Sequence, residues 1–444
     1  MVSIRSPPEW GIEPIPSKYR SLTGISYFIL WSSLGVGLLV FSAGSLLTGA
    51  KFSDALLAII IGSLTGSLLL AVAGKIGSDH AVPSLISMRP SFGVRGSHLP
   101  AILNIIQLIG WTTFEIMIMS KASEMLVGNH IPYYIWTIII GAFVILLGIV
   151  GPLTVLRQWL EKFAIWIVYA SSTLIIINLL MSGSVSKLLL SPSGTASGLS
   201  FFSALDIVIA MPISWMPLVS DYNRFAKGSR GAFLGTFVGF AITNILFYFG
   251  GLILGLSDII GVVAAIQSIF FGLILLMFIL HETSNAFADV YSAAVSTQSI
   301  FHKIKQRYLI IGFTVLSIVL AIMVPISQYE TFLLLIGAVF VPLFGVVISD
   351  YYIVKDRHYE TTLMYGSSAL SIGFPAIIAW SFGVLLYYLL SSISPVYIPQ
   401  WPQIGSTIPS FIGSSLLYLG IMKINSIGYL TKKIKRYCDI VDLR

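Results

Sequence analysis

Between residue 25 and residue 427 the chain consists of apolar runs separated by short polar links. About 20 apolar residues in a helix cross the roughly 30 Å of a bilayer's hydrocarbon. Inside that layer each backbone N–H and C=O must find a partner within the protein, which a helix supplies along its own length. Twelve such runs centre near Val36, Thr65, Thr112, Val144, Val168, Ile209, Thr243, Leu273, Leu316, Phe340, Ala379 and Ser415. No link between them is long enough to house a soluble domain. With 56% hydrophobic and only 10% charged residues and a mean hydropathy of +0.93, the chain is far from soluble composition. The sequence therefore predicts an all-α, polytopic membrane protein whose first partner is the lipid bilayer.

The net charge of +7 invites a reading as a nucleic-acid binder, but the placement of the charges excludes it. With the N-terminus in the cytoplasm, all Lys and Arg residues except Lys51, Lys121 and Lys187 fall in inside segments. That asymmetry follows the positive-inside rule and puts both termini on the cytoplasmic side of the cell membrane. The run TKKIKRY near the C-terminus reads as a topology determinant beside anionic lipid. The N-terminal stretch MVSIRSPPEWGIEPIPSKYR lacks the apolar core of a cleaved signal, so the first span is expected to serve as insertion signal. Cys438, the one cysteine, offers neither a disulfide nor a metal cluster. The resulting division is a cytoplasmic segment 1–24, a first repeat 25–200, a second repeat 201–354, two further spans in 355–427, and a basic tail 428–444.

Two spans depart from plain Leu, Ile, Val and Phe. The first contains WSSLGVGLLVFSAGSLL, where Ser32, Ser33, Gly35 and Gly37 interrupt the pattern near mid-membrane. The sixth contains AMPISWMPLVSDYNRF, where Pro212 and Pro217 each remove a backbone donor. These spans stand five apart, at equivalent places in two halves of five. Interrupted helices in corresponding positions mark a secondary transporter with inverted repeats, whose site lies at the breaks.

An ionisable residue at membrane depth is a functional candidate by default. Gln107, Trp111 and Glu115 share one face of the third span at intervals of four. In the eighth, Glu282, Asn285 and Asp289 share a face, and Ser292 and Ser296 extend it. An aromatic plate flanked by hydrogen-bonding groups suits a small planar ligand. Because an ionised carboxylate only accepts, Glu115 and Asp289 favour a ring rich in N–H groups, such as an aminopyrimidine, over carbonyl-rich uracil. Thr283 and Ser284, with carbonyls of a broken first helix such as Gly35 and Leu38, form a candidate all-oxygen shell for Na⁺. Adjacent hydroxyls on a helix also bond back to the preceding turn.

The stretches SDHAVPSLISMRPSFGVRGSHLPAILNIIQLIGW, SWMPLVSDYNRFAK and TSNAFADVYSAA resemble the nucleobase cation symporter family, the cytosine and purine permease group. The likeness includes an FG-x-x-G loop before the third span and the pattern Asp221, Tyr222, Arg224, Phe225 after the sixth. It implies a five-plus-five inverted repeat with helices 1 and 6 broken, two added C-terminal helices, and alternating access driven by Na⁺ or H⁺. It also implies that Trp111 stacks on a base held by Glu115 and Asp289; Gln107 and Asn285 on the same helix faces, with Ser214 and Trp215 of the sixth span, complete the expected substrate set. The implied ion ligands are Thr283, Ser284, Gly35, Leu38 and Leu280. Two positions depart from the family's amides by carrying acids, and Pro212 stands where relatives carry a second stacking aromatic, leaving Trp215 or Met211 to close the sandwich. GWTTFE with ADVYSAA is most similar to the branch associated with hydroxymethylpyrimidine, the thiamine precursor.

The expectation is a symporter for a pyrimidine base or thiamine precursor, without a cofactor. A purine or allantoin symporter, or an amino-acid symporter using free amides at the helix breaks, is the alternative within the same architecture. An intramembrane enzyme would have to draw on His281, Glu282 and Ser284, which point to different faces of a helix.

Overall fold

The computed structural model describes residues 10–150, 165–181, 198–255, 259–268, 272–360, 364–365, 370–391 and 404–441. Among them the regular structure is helical, apart from one isolated bridge between Leu22 and Ala226. The first span is two helices, α1 (Gly24–Leu34) and α2 (Leu38–Ser45), set at 60° to one another. Then come α3 (Phe52–His80), α4 (His98–Leu126), α5 (Tyr133–Val150) and α6 (Ile165–Met181). The sixth span is again two pieces, α7 (Phe201–Ser214) and α8 (Val219–Asn223). It leads to α9 (Ser229–Leu254), a short α10 (Ile259–Gln267), α11 (Leu273–Gln298) and α12 (Gln306–Met323). Last come α13 (Tyr329–Ser349), α14 (Phe374–Leu390) and α15 (Thr407–Val441).

Seven of these helices are long and apolar enough to cross a membrane, and α1 with α2 qualifies as a bent pair. Every span read from the sequence falls on one of the helices or broken pairs. The eighth needs a correction, because its centre was placed near Leu273 and α11 only begins there. Hydropathy peaks at the apolar start of α11, while the polar residues from His281 to Gln298 depress it over the rest of a helix that is nonetheless buried. The short α10 before it was not read as an element of its own.

Inside the bundle α1 lies on α9, α3 on α7 and α9, and α4 along α11, while α13, α14 and α15 pack on one another. Lipid-facing positions stay apolar: Leu57, Leu64 and Leu68 on α3 and Ile102 and Ile106 on α4 are exposed. One end of the bundle is crossed by the N-terminal segment, where the Ile15 N–H donates to Ala81 O at 2.9 Å and Arg224 Nη1 to Gly11 O at 2.7 Å. Arg20 adds bonds to the carbonyls of Ser78 and Ala226.

Two buried acids have purely structural partners. Asp206 accepts the backbone N–H groups of Ser406 and Thr407 at 2.6 and 3.1 Å, capping the start of α15. Asp350 accepts the hydroxyls of Tyr359 and Tyr418 at 2.6 and 2.7 Å. Burial of an acid here does not by itself define a site; what separates Glu115 and Asp289 is an oxygen that no protein donor meets.

Candidate functional site

Three residues, Gly35 to Gly37, separate α1 from α2 and leave backbone groups without helical partners. The α11 side chains satisfy them: Asn285 Nδ2 donates to Val36 O at 2.7 Å, and Glu282 Oε2 accepts the Leu38 N–H at 3.1 Å. A Cβ at position 37 would stand 2.8 and 2.9 Å from the two Glu282 oxygens, so glycine is what lets the carboxylate approach. An acid at the N-terminus of α2 also complements the positive end of that helix. Glu282 is thus a strut of the break, a role the residue's spacing alone does not reveal.

Beside this strut, α4 and α11 bring their polar faces together. Asn104 Nδ2 donates to Ser296 Oγ at 2.8 Å, and Gln107 Nε2 donates to Asn104 Oδ1 at 2.8 Å and to the Ser214 carbonyl at 3.0 Å. Both donors of the Gln107 amide are therefore committed, and only its oxygen remains. Around Trp111 and the first-span break, the buried oxygens of these two helices without a protein partner include Gln107 Oε1, Glu115 Oε2, Asn285 Oδ1 and Asp289 Oδ2, together with the hydroxyls of Ser284 and Ser292. The carboxyl groups of Glu115 and Asp289 lie within hydrogen-bonding reach of each other. Buried polar groups normally have partners, so a concentration of unsatisfied acceptors calls for donors from elsewhere.

Trp111 sits one turn from Gln107 and one from Glu115, with its Nε1 unpartnered. Its ring meets Tyr329 and Phe332 of the α13 region edge-on, at centroid distances of 5.9 and 5.3 Å. The Tyr329 hydroxyl in turn donates to Leu39 O in α2 at 3.1 Å. Sequence reasoning missed this aromatic wall, since Tyr329 and Phe332 lie in a stretch that reads as an ordinary apolar span.

At the sixth-span break, α7 continues through Pro212 to Ser214, so Pro217 alone lies in the non-helical turn. Pro212 packs on Gly66 of α3. Trp215 meets Trp31 edge-on at 6.1 Å and is buried. The Ser214 hydroxyl donates to Met211 O at 2.6 Å, and it is the Ser214 carbonyl that reaches α4. Met211 is likewise buried.

Of the expected ion ligands, Ser284 Oγ is buried and unpartnered, while Thr283 Oγ donates to Leu280 O at 2.7 Å and keeps its lone pairs. The Leu38 carbonyl accepts from Ser42 Oγ at 2.8 Å, and Gly35 stands at the break. Hydroxyl and carbonyl oxygens of this kind suit a hard monovalent cation. Among the described residues, no three His, Cys, Asp or Glu side chains assemble as a metal site. His281 Nε2 faces Ser33 Oγ at 3.4 Å while Glu282 faces α2, so His281, Glu282 and Ser284 form no nucleophile–base relay.

The family described as permeases for cytosine/purines, uracil, thiamine and allantoin matches residues 14–404. The cytosine permease of Escherichia coli (strain K12) is 26% identical over 410 residues, covering 86% of this chain and 90% of that protein. The hydantoin permease of Microbacterium maritypicum is 22% identical over 445 residues, 89% of each chain. Among solved structures, the nucleobase-cation-symport-1 family transporter Mhp1, closed with bromovinylhydantoin bound, superposes with a TM-score of 0.79 at 18% identity over 94% of this chain and 95% of that one. Its inward-facing form gives 0.75. The fold is therefore that of an inverted-repeat transporter with broken first and sixth helices and two additional C-terminal ones, and the relatives are permeases rather than enzymes.

Proposed function

The chain belongs to the family of permeases for cytosine/purines, uracil, thiamine and allantoin, and from that premise we propose that it is a symporter importing an aminopyrimidine, of which hydroxymethylpyrimidine is the best fit. The observation that carries this is the sign of the unsatisfied groups. Gln107, Glu115, Asn285 and Asp289 each hold a buried oxygen that can only accept and has no protein donor, whereas the unpartnered groups able to donate are the Trp111 N–H and the hydroxyls of Ser284 and Ser292. A ring with an exocyclic amino group, joined in hydroxymethylpyrimidine by a hydroxyl, supplies donors to those acceptor oxygens. Carbonyl-rich uracil sets an acceptor where the amino group would donate and compensates the desolvation of the carboxylates less well. Trp111 provides the stacking face, and Trp215 is the aromatic on the opposite broken helix.

The alternative of an amino-acid ligand needs a free helix N-terminus for the ligand's carboxylate. Here the Leu38 N–H at that terminus already donates to Glu282, which disfavours a second anion at the same place. Coupling to Na⁺ is supported by the oxygen set of Ser284, Thr283, Leu280, Gly35 and Leu38, gathered at the first-span break that Glu282 braces. The distribution of Lys and Arg supports cytoplasmic termini and a place in the cell membrane.

A binding screen of purified protein against hydroxymethylpyrimidine, cytosine, uracil, hypoxanthine and amino acids, with and without Na⁺, tests the proposal. Tightest binding of hydroxymethylpyrimidine, strengthened by Na⁺, is expected. Binding of uracil or amino acids in preference to either aminopyrimidine would overturn it.

A further inference from the structure

Glu115 on α4 and Asp289 on α11 present an unusual contact, since their carboxyl groups face each other within hydrogen-bonding reach and each keeps an oxygen that no protein donor meets. Both residues are buried, with 3% and 2% of their surface exposed. Two ionised carboxylates have only acceptors to offer one another, and at this separation they repel. Among the described residues no Lys or Arg forms an ion pair with either carboxyl. The ion pairs among the described residues are Lys75–Asp79 and Lys121–Glu124, and neither touches the pair. The other titratable groups nearby are Glu282 on the same helix, Tyr222 from α8 and Tyr329 from α13, all neutral or anionic. The contact becomes attractive in one way, by a proton on one carboxyl that donates to the other.

Resting on the reading that an aminopyrimidine enters this site, we propose that Glu115 and Asp289 bind a single proton between them and pass it to a basic ring nitrogen of the ligand. In that step the carboxyl O–H bond breaks, its electron pair stays on the carboxyl oxygen, and the lone pair of the ring nitrogen forms the new N–H bond. A neutral amidine edge, a ring nitrogen beside an exocyclic amino group, thereby becomes an amidinium with two N–H donors facing two carboxylates. No charge is created overall, because the pair goes from one negative charge to two as the ligand gains one positive. Charge-assisted hydrogen bonds replace neutral ones, in surroundings of low polarity where they are strongest. Gln107 Oε1 and Asn285 Oδ1, one or two turns along the same faces, remain to accept further N–H groups. The site thus selects ligands by basicity as well as by shape, a discrimination that a neutral amide at either position does not provide.

Infrared difference spectroscopy of the purified protein, read at the C=O stretch of protonated carboxylic acids, tests this. The ligand-free protein is expected to show such a band, and both Glu115→Gln and Asp289→Asn are expected to remove it, because the introduced amide donates to the remaining carboxylate and makes the proton unnecessary. Hydroxymethylpyrimidine binding is expected to abolish the band in the unmodified protein, and uracil, which has no basic ring nitrogen, to leave it intact. A band that survives in both variants assigns the proton elsewhere and overturns the inference. Binding of hydroxymethylpyrimidine with the band unchanged overturns the proton transfer while leaving the proposed substrate standing. A calorimetric isotherm on the same sample showing no binding of either aminopyrimidine overturns the substrate reading and this inference with it.

Discussion

Replacing Gly37 by alanine puts a methyl group against the Glu282 carboxylate, and the structure gives the size of the effect. The new Cβ would lie 2.8 and 2.9 Å from the two carboxylate oxygens, whereas ordinary contact begins near 3.4 Å. The carboxylate must retreat by about 0.5 Å to restore contact distance. Its bond to the Leu38 N–H, already 3.1 Å, then stretches to roughly 3.6 Å and ceases to be a hydrogen bond. Losing a hydrogen bond to a charged group costs about 1.5–3 kcal/mol. If that contact is the whole cause, the cost disappears once the carboxylate is gone. Glu282→Ala alone destabilises by leaving the Leu38 N–H unmet, but Gly37→Ala added to it meets no oxygen and breaks no bond. A double-mutant cycle on unfolding free energies, measured by denaturant titration in detergent, therefore yields a coupling of about 1.5–3 kcal/mol. Equal cost for Gly37→Ala in both backgrounds would refute the strut between α11 and the first-span break.

That strut also marks where sequence reading stops. The spans, the paired interruptions of the first and sixth, and the polar faces of α4 and α11 were legible because each is a local pattern of apolar runs, Gly and Pro, or spacings of four. The partner of Glu282 was not, since Leu38 lies 244 positions away and no periodicity within α11 points to it. Spacing placed Glu282 on the same stripe as Asn285 and Asp289, yet Glu282 and Asn285 Nδ2 brace the break while Asp289 faces Glu115. The aromatic wall of Tyr329 and Phe332 was hidden for another reason, as aromatic residues in an apolar span carry no sign of whether they face lipid or protein. The eighth span was misplaced because hydropathy averages over the very polar residues that make the helix functional.

Three further outcomes follow from the same geometry. Thr283→Ala combined with Ser284→Ala removes both hydroxyls of the proposed ion shell and is expected to abolish the Na⁺ dependence of ligand binding; undiminished Na⁺ stimulation would reject the site. Trp111→Ala is expected to weaken aminopyrimidine binding by about 1–3 kcal/mol, the usual worth of a base stacked on an aromatic ring, and an unchanged Kd in a correctly folded variant would place the ring outside the contact. Asp206→Ala strips the cap from α15 and should lower stability by about 0.5–2 kcal/mol with ligand affinity intact, as read by thermal unfolding alongside binding; a loss of affinity at unchanged stability would contradict its structural role.

If the donors of an imported ring satisfy the carboxylates at this depth, paired affinities of Glu115→Gln for hydroxymethylpyrimidine and uracil will differ. Exchanging a charge-assisted bond for a neutral one costs about 1–1.5 kcal/mol, so the variant should bind hydroxymethylpyrimidine roughly tenfold more weakly while its affinity for uracil falls less or rises. Equal losses for both ligands would contradict the account.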